Sequence, residues 1–423
     1  MGQLVTRESL LGARGGAKWA GAIREASLDA FNEQGIPTRR SESWKYSDLA
    51  QALKDKSPSS PAASEPPEFA GANVVAYRDG VLDTPSCDFP ANGFTLLSDV
   101  LADETSPYAD LIGAINPQQR HPVVCLNTAD MEDGFVLHVP KGVHVFTPLH
   151  VRFDWRAHAE PSERGRHVRL IVVLDEGAEA TLIESHVGAP HFATVVTETR
   201  LAPGARLDHV RLERLGETGC LSAATIGEID AGARYQGFYL SEGARFARHE
   251  ALLKLTGEKA EAVLDGALLA AGATHADNTI VIAHDAPDTS SRQTFRNVLG
   301  GKAQGVFQGC VKVSRAAQKT DAKQMCRSLL LSRKARISAK PELEIFADDV
   351  KCAHGAASGD LDEQALFFLR SRGIPLAEAR IMLVEAFLAD GVDAIGNEAV
   401  REATRGLITD WIARHGREVF ENA

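Results

Sequence analysis

The sequence predicts a mainly β protein whose strand-rich middle is framed by helices, and three observations predict it. From about His121, for roughly 230 residues, apolar or alternating runs recur, such as Phe135 to Val139, Val168 to Leu174, Ala193 to Thr197 and Gly305 to Gln308. Gly, Asp and Pro divide them, which is the period-two signature of strands. Second, Gly204-Ala-Arg-Leu207, Gly232-Ala-Arg-Tyr235 and Gly243-Ala-Arg-Phe246 each open a strand-like run, at offsets of 28 and 11 residues (232−204 and 243−232). Such a turn-then-strand unit suggests coils stacked on coils, and a large β-sandwich would use the same turns. On pattern alone both architectures stay open. Third, the last stretch, roughly 65 residues, switches to helical period.

The elements follow in chain order. Residues 1–53 read as an N-terminal helical region: Trp19, Ile23, Ala26, Ala30 and Phe31 recur at spacings of three to five, and Gly35 and Pro37 stop the helix. Residues 54–73 carry Pro58, Pro61, Pro66 and Pro67 among Ser, Ala and Glu, a composition that buries too little apolar surface to offset ordering entropy, so an exposed linker is expected. Residues 74–120 form a small mixed segment, with a short strand at Val74 to Tyr77 and short helices between Leu96 and Ile115. Residues 121–356 are the strand core. Residues 357–423 form a helical domain. Asp362 to Arg372 is a helix that Gly373 ends, and Pro375 opens a second with Ala379, Met382, Leu383, Ala386 and Phe387 on one face. A third runs from Asn397 to His415. Helices before and after the strands would cover the apolar ends of a solenoid.

Composition excludes several functions. A chain of 423 residues suggests two or three units. Lys and Arg number 46 against 57 Asp and Glu, a net charge of −11, which argues against general nucleic-acid binding. No stretch approaches the ~20 apolar residues that cross a bilayer, and Arg7, Glu8, Arg14 and Lys18 interrupt any secretory apolar segment. The six cysteines, Cys87, Cys125, Cys220, Cys310, Cys326 and Cys352, form no CxxC, so a disulfide framework is not expected and a cytoplasmic location is. Gly300-Gly-Lys302 lacks the spacing and the hydroxyl of a P-loop, and no GxGxxG, HExxH or GxSxG pattern fits. Any ATP chemistry tied to this chain belongs to a partner.

Most histidines lie in strand-like runs (His138, His144, His150, His186, His209), where hydrogen-bonded strand positions explain them. One pair differs. In Ala347-Asp-Asp-Val-Lys-Cys-Ala-His-Gly355 a strand would put Cys352 and His354 on one face, Cα atoms about 6.6 Å apart. Thiolate and imidazole both suit iron or zinc. Clusters and structural zinc take four ligands, and nearby only Asp348 and Asp349 add oxygen donors. Either the pair is structural or the remaining ligands come from another chain. The cations from Lys312 to Lys340 are expected to form a solvated sheet face, or else to meet an acidic partner. A rival reading is a β-helix carbohydrate-active enzyme with Asp348 and Asp349 as its carboxylates, though neighbours on a strand face opposite sides.

Gln318-Lys-Thr-Asp-Ala-Lys-Gln-Met325, Lys340-Pro-Glu-Leu-Glu-Ile-Phe-Ala-Asp-Asp-Val-Lys-Cys-Ala-His-Gly355 and Phe367-Phe-Leu-Arg-Ser-Arg-Gly-Ile-Pro375 closely resemble the SufB/SufD family, subunits of the SufBCD iron–sulfur cluster assembly complex. Gly35 to Arg39, Trp44-Lys-Tyr46, Gly134 to Gly142 and His275-Ala-Asp-Asn278 match as well. The resemblance spans nearly the whole chain, and the Ala347–Gly355 string favours the SufD branch. It implies a right-handed parallel β-helix with N- and C-terminal helical domains. It also implies a non-enzymatic scaffold that pairs with a SufB-like paralogue through the β-helix, or with itself in isolation. A SufC-like ABC ATPase would dock on the C-terminal helices, here Phe367, Leu369, Ile374, Pro375, Leu383 and Phe387. His354 matches the family's interface histidine beside a transient, shared iron–sulfur cluster, and Cys352 matches a family cysteine. Cys326 is expected to be a small buried hydrophobe.

Overall fold

The computed structural model describes residues 16–54, 65–89, 93–113, 121–131, 133–155 and 165–421. From β4 (Asp133–Val139) and β5 (Leu149–Trp155) onward, successive strands alternate between two parallel sheets. One sheet continues through β7 (Glu179–Gly188), β9 (Arg206–Leu215), β11 (Arg234–Ser241), β13 (Glu261–Ala270), β15 (Ser290–Leu299), β17 (Asp321–Leu330) and β19 (Lys351–Gly359). The other runs through β6 (Arg166–Leu174), β8 (Ala193–Leu201), β10 (Cys220–Ile229), β12 (Phe246–Leu255), β14 (His275–His284), β16 (Gln304–Val313) and β18 (Arg336–Ile345). The architecture is therefore a parallel β-solenoid rather than a sandwich. Near the chain start, β1 (Asn73–Arg78) pairs parallel with β5 and antiparallel with β2 (Val81–Leu82), and β3 (Phe94–Leu96) pairs antiparallel with β4.

The Gly-Ala echo is a corner of this solenoid. Gly177, Gly204 and Gly232 sit at one corner of successive coils with left-handed φ of 68, 71 and 63°. Each amide donates to the next coil, to the carbonyls of Pro203, Ala231 and Glu258. Ala178, Ala205 and Ala233, which follow, are sealed in the core. The column continues through Lys259, Asp288 and Lys319 at φ 60, 55 and 62°. Gly243 lies at the opposite corner, between β11 and β12, which is why the echo shows one coil length and then a fraction of one. A side chain at Gly232 would meet nothing within 4 Å, so Gly232→Ala isolates the backbone cost. A loss of about 1–2 kcal/mol is expected by chemical denaturation.

Each strand alternates between core and outer face. Along β9, Leu207 and Leu215 join the interior with Leu182, Tyr235 and Leu264, whereas Val210 and Leu212 join an outer cluster. That outer apolar surface decides where the helices go. α1 (Lys18–Gln34), α2 (Leu49–Ala52), α3 (Leu97–Ala102) and α4 (Pro122–Asp130) lie on the outer face of the β4–β18 sheet, packing Ala30, Phe31, Leu97 and Val124 against Val136, Ile171, Val196 and Phe246. On the other sheet's outer face lie α6 (Leu376–Val392) and α7 (Glu398–Glu421), with Val384, Leu388 and Trp411 over Val210, Phe238 and Leu240, and α5 (Glu363–Arg370) packs on α6. The expectation that helices plug the solenoid's ends is thus corrected: both sheets are apolar outside as well as inside, so the helices cover faces. For the same reason α6 buries Ala379, Val384 and Leu388 and leaves Met382 41% exposed. Of the Pro-rich stretch, residues 55–64 lie outside the described residues. Past it, Phe69 is buried, its ring edge-on to His150.

The polar stretch Arg39 to Tyr46 is a latch. Trp44 is buried beneath the Arg248 guanidinium, 4.0 Å from its ring centre. Arg248 pairs with Glu250 and Asp277, and the Ser43 carbonyl accepts from Arg248 (2.8 Å) and Gln308 (3.2 Å). Ser47 bonds His275 (2.9 Å) and Asp277. The Trp44 and His275–Asn278 strings, far apart in sequence, meet here.

Candidate functional site

The two sheets end in β18 and β19, whose outer edges pair with no other described strand. A long unpaired edge is a template for another chain's strand. Ile345 (38% exposed) and Phe346 (65%) lie at the end of β18. Cys352 and His354 lie on β19, two residues apart on one face, as the spacing predicts. Their neighbours on β17 are Ala322 and Gln324. His354 is exposed and Cys352 half-buried. Burial raises the Cys352 thiol above its ordinary range, with the charge of Asp321 adding to it and a backbone hydrogen bond at Ala322 opposing. A metal must therefore displace its proton on binding. Among the described residues no three His, Cys, Asp or Glu side chains converge to hold a metal ion. Cys352 and His354 are one thiol and one imidazole side by side, fewer donors than the four that a structural zinc or a cluster takes.

Asp348 and Asp349 fall in the turn between β18 and β19 rather than on a strand. Asp349 serves the corner, its carbonyl accepting from the Lys319 amide and its amide donating to Gln318 Oε1. Within the cationic run Lys312 pairs with Glu344, Lys323 with Asp321, and Lys340 with Glu42 and Glu342. Cys326 is fully buried, and desolvation pushes its thiol up to about 11.

A second surface lies on α5 and α6. Asp362 caps α5, its Oδ1 accepting from the Gln364 and Ala365 amides (2.8 and 3.2 Å), and Gly373 turns the chain at φ 85°. No residue of α5 is buried. Phe367 is 73% and Phe368 53% exposed, the latter beneath the Arg372 guanidinium at 3.4 Å. Of the other sequence-derived docking residues, Pro375 is exposed, Leu369, Ile374, Leu383 and Phe387 are half-buried, and Phe387 packs on the outer apolar cluster under Arg296. Phe368 and Leu376 are exposed apolar residues that the sequence did not single out, because an exposed apolar residue next to a buried face has no distinguishing period.

The interior also holds a charged network that the sequence did not announce. Glu184 accepts from Arg211, from Thr197 (2.6 Å) and from His209 (2.9 Å), with His186 at 3.4 Å. His209 bonds Tyr235 (2.8 Å), Tyr235 bonds Tyr239 (2.6 Å), and Thr225 bonds His249 (3.0 Å). All are buried.

These features define a helix-covered parallel β-solenoid with an open edge bearing Cys352 and His354 and an unburied helix, α5. Residues 157–387 match the SufBD core domain of the SUF system for FeS cluster assembly. The chain belongs to the SufBD family of iron–sulfur cluster assembly proteins. It is 30% identical over 390 residues to the iron–sulfur cluster assembly protein SufD of Escherichia coli, covering 89% of each chain. An iron–sulfur cluster assembly SufBD family protein of Synechocystis is 30% identical over 400 residues, 88% of this chain and 86% of the relative. SufB of Bacillus subtilis is 26% identical over 393 residues, 88% and 80% respectively. The fold and the SufD-like character expected from the sequence are borne out.

Proposed function

We propose that this chain is a scaffold subunit without turnover of its own, working in the cytoplasm. It pairs with a SufB-like paralogue through the β18 and β19 edges, or with its own copy when the paralogue is absent. It docks a SufC-like ABC ATPase on α5 and α6, and it lends His354, with Cys352, to a transient iron–sulfur cluster shared between chains. The observation that carries this reading is an incomplete ligand pair on an open sheet edge. A lone chain cannot finish that coordination sphere, and a partner strand along β19 would bring the missing donors within reach. The unburied α5 supports the ATPase surface, since an amphipathic helix with nothing over its apolar side is a docking element. Six cysteines without a disulfide fit a reducing compartment.

The test is co-purification with the paralogue and the ATPase, followed by anaerobic reconstitution and iron counting. Phe367→Asp with Phe368→Asp should lose the ATPase and keep the paralogue. His354→Ala should keep both partners and lose most of the bound iron. Normal iron content with His354→Ala would remove the ligand assignment, and retained ATPase with the double variant would remove the docking surface.

A further inference from the structure

From Leu299 to Lys340 the chain holds a single acid, Asp321, which pairs with Lys323. Three cations of that stretch, Arg333, Lys334 and Arg336, stand together at the corner between β17 and β18. The coil below repeats the charge. The Arg336 amide donates to the Ala303 carbonyl and the Gln304 amide to that of Thr274. The turn at 332–335 therefore stacks on the turn at 300–303, which sets Lys334 beside Lys302 at the ladder spacing of about 4.8 Å. Arg336 lies beside Gln304, and Gln304 beside His275. The latch adds a fifth cation, since the charge of Arg39 reaches His275. All five side chains are exposed, and among the described residues none has an ion-pair partner. One coil further down Glu217 approaches Gly272, its Oε1 3.0 Å from where a Cβ would stand, and this carboxylate bounds the cationic field.

A chain of net charge −11 that leaves five neighbouring cations unpaired carries a local field opposite in sign to its whole. Like charges held together repel until an anion meets them. The rest of the corner selects the class of anion. A lipid surface takes cations flanked by apolar side chains that enter the headgroups. Along β18 the exposed apolar residues, Ile345 and Phe346, stand at the far end, about 30 Å from Arg336. Single-stranded nucleic acid takes aromatic platforms for its bases, and the described residues of the corner offer no exposed aromatic. A duplex would be met by the negative charge of the chain as a whole. The carboxylates of a polypeptide remain, and neighbouring arginine and lysine bind them through charge-assisted hydrogen bonds. The spacing suits an extended segment, because Lys334 and Arg336 are alternate residues about 6.6 Å apart, the repeat of one face of a strand. We propose that the corner formed by Arg39, Lys302, Arg333, Lys334 and Arg336 is a docking surface for an acidic segment of a partner protein. Neither the Cys352–His354 pair nor α5 takes part in it, so it stands apart from the function proposed above.

The experiment titrates the full chain, without partners, with a fluorescent peptide of about twelve glutamates and with its glutamine counterpart. The glutamate peptide should bind at about 50 mM salt and weaken steeply by about 300 mM, and the glutamine peptide should not bind. Carbodiimide coupling should join the glutamate peptide to Lys302 and Lys334 ahead of the other lysines, as read by peptide mass mapping. Arg333→Glu with Lys334→Glu should weaken binding by about tenfold or more. Lys141→Glu with Lys254→Glu makes the same change in net charge at paired cations elsewhere and should change it by less than about twofold. Should the first pair not fold, Arg333→Gln with Lys334→Gln should still weaken binding several-fold. Coupling spread evenly over the lysines, or equal weakening by both charge reversals, would reduce the effect to net charge and overturn the proposal. Tighter binding of a thymidine dodecamer or of phosphatidylglycerol vesicles, abolished by the same reversal at Arg333 and Lys334, would overturn it as well and give the corner to nucleic acid or to a membrane. Loss of the paralogue or of iron in the co-purification above would leave this result untouched, so the two readings fail separately.

Discussion

Between pH 6.5 and about 4 the protein is expected to lose most of its stability, because several histidines are buried as neutral imidazoles. His150, His186 and His284 are each lowered to about 4, in every case chiefly by desolvation, with Arg152 adding to it at His150 and Arg211 at His186. His249 and His275 are lowered too, again by burial first. In the unfolded chain an imidazole takes its proton near 6.5. The neutral form is therefore favoured by folding, its contribution is complete above 6.5, and it is lost as pH falls from 6.5 towards the folded value. Each of the three contributes about 1.4 kcal/mol per pH unit in that window, or about 3 kcal/mol in full. Together they match the 5–15 kcal/mol that holds a typical domain. Glu184 and Glu250, both held low in the fold, add to the loss at the acidic end. Denaturant titrations at pH 7.5, 6.5, 5.5 and 4.5 should give a steep fall below 6.5, and His284→Gln should reduce the slope by close to one proton. A flat profile from pH 7 to 5 would mean that these imidazoles are charged or hydrated in the fold.

The same histidines show how far the sequence could be read. Their strand-like runs, around His186 and after Gly204-Ala-Arg-Leu207, were legible because period two survives whichever side is buried. It could not give the side. Glu184, His186, His209 and Arg211 alternate with Ile183, Val187, Val210 and Leu212, and the ordinary inference puts the charges in water. In this solenoid the apolar members face outward to meet α6 and α7, and the charged ones face in. A helix-covered sheet has two apolar environments, so polarity alone does not assign an interior. Helix ends were legible where local chemistry fixes them, as at Asp362, Gly373 and Pro375. The placement of those helices over a face was not, because it depends on contacts between α7 and strands roughly two hundred residues earlier. At the open edge, Cys352 and His354 were legible as a pair from spacing alone.

Arg211→Leu should cost 3–5 kcal/mol, more than any surface substitution, because of what it leaves behind rather than what it removes. Arg211 is 1% exposed and bonds Glu184 and, at 2.8 Å, Glu213. Both carboxylates are buried. Arg211 and hydrogen bonds from His186 and His209 hold Glu184 well below the usual carboxylate range against strong desolvation. Without the guanidinium, two buried carboxylates face each other with imidazoles and hydroxyls alone, and at least one must take a proton to stay. The single variant should therefore become more stable as pH is lowered from 8 towards 6.5, above the window in which the histidines act, whereas the unmodified protein should be flat there. Glu184→Leu in the Arg211→Leu background should recover part of the loss, since an apolar pair of similar volume avoids both desolvation costs. The exposed pair Lys141–Glu176, though only 2.6 Å apart, has side chains 69% and 58% exposed, and Lys141→Ala should change stability by less than about 1 kcal/mol. Equal costs for Arg211→Leu and Lys141→Ala would show that water reaches the interior network. The solenoid core would then be a hydrated channel along this stretch rather than a sealed charged layer.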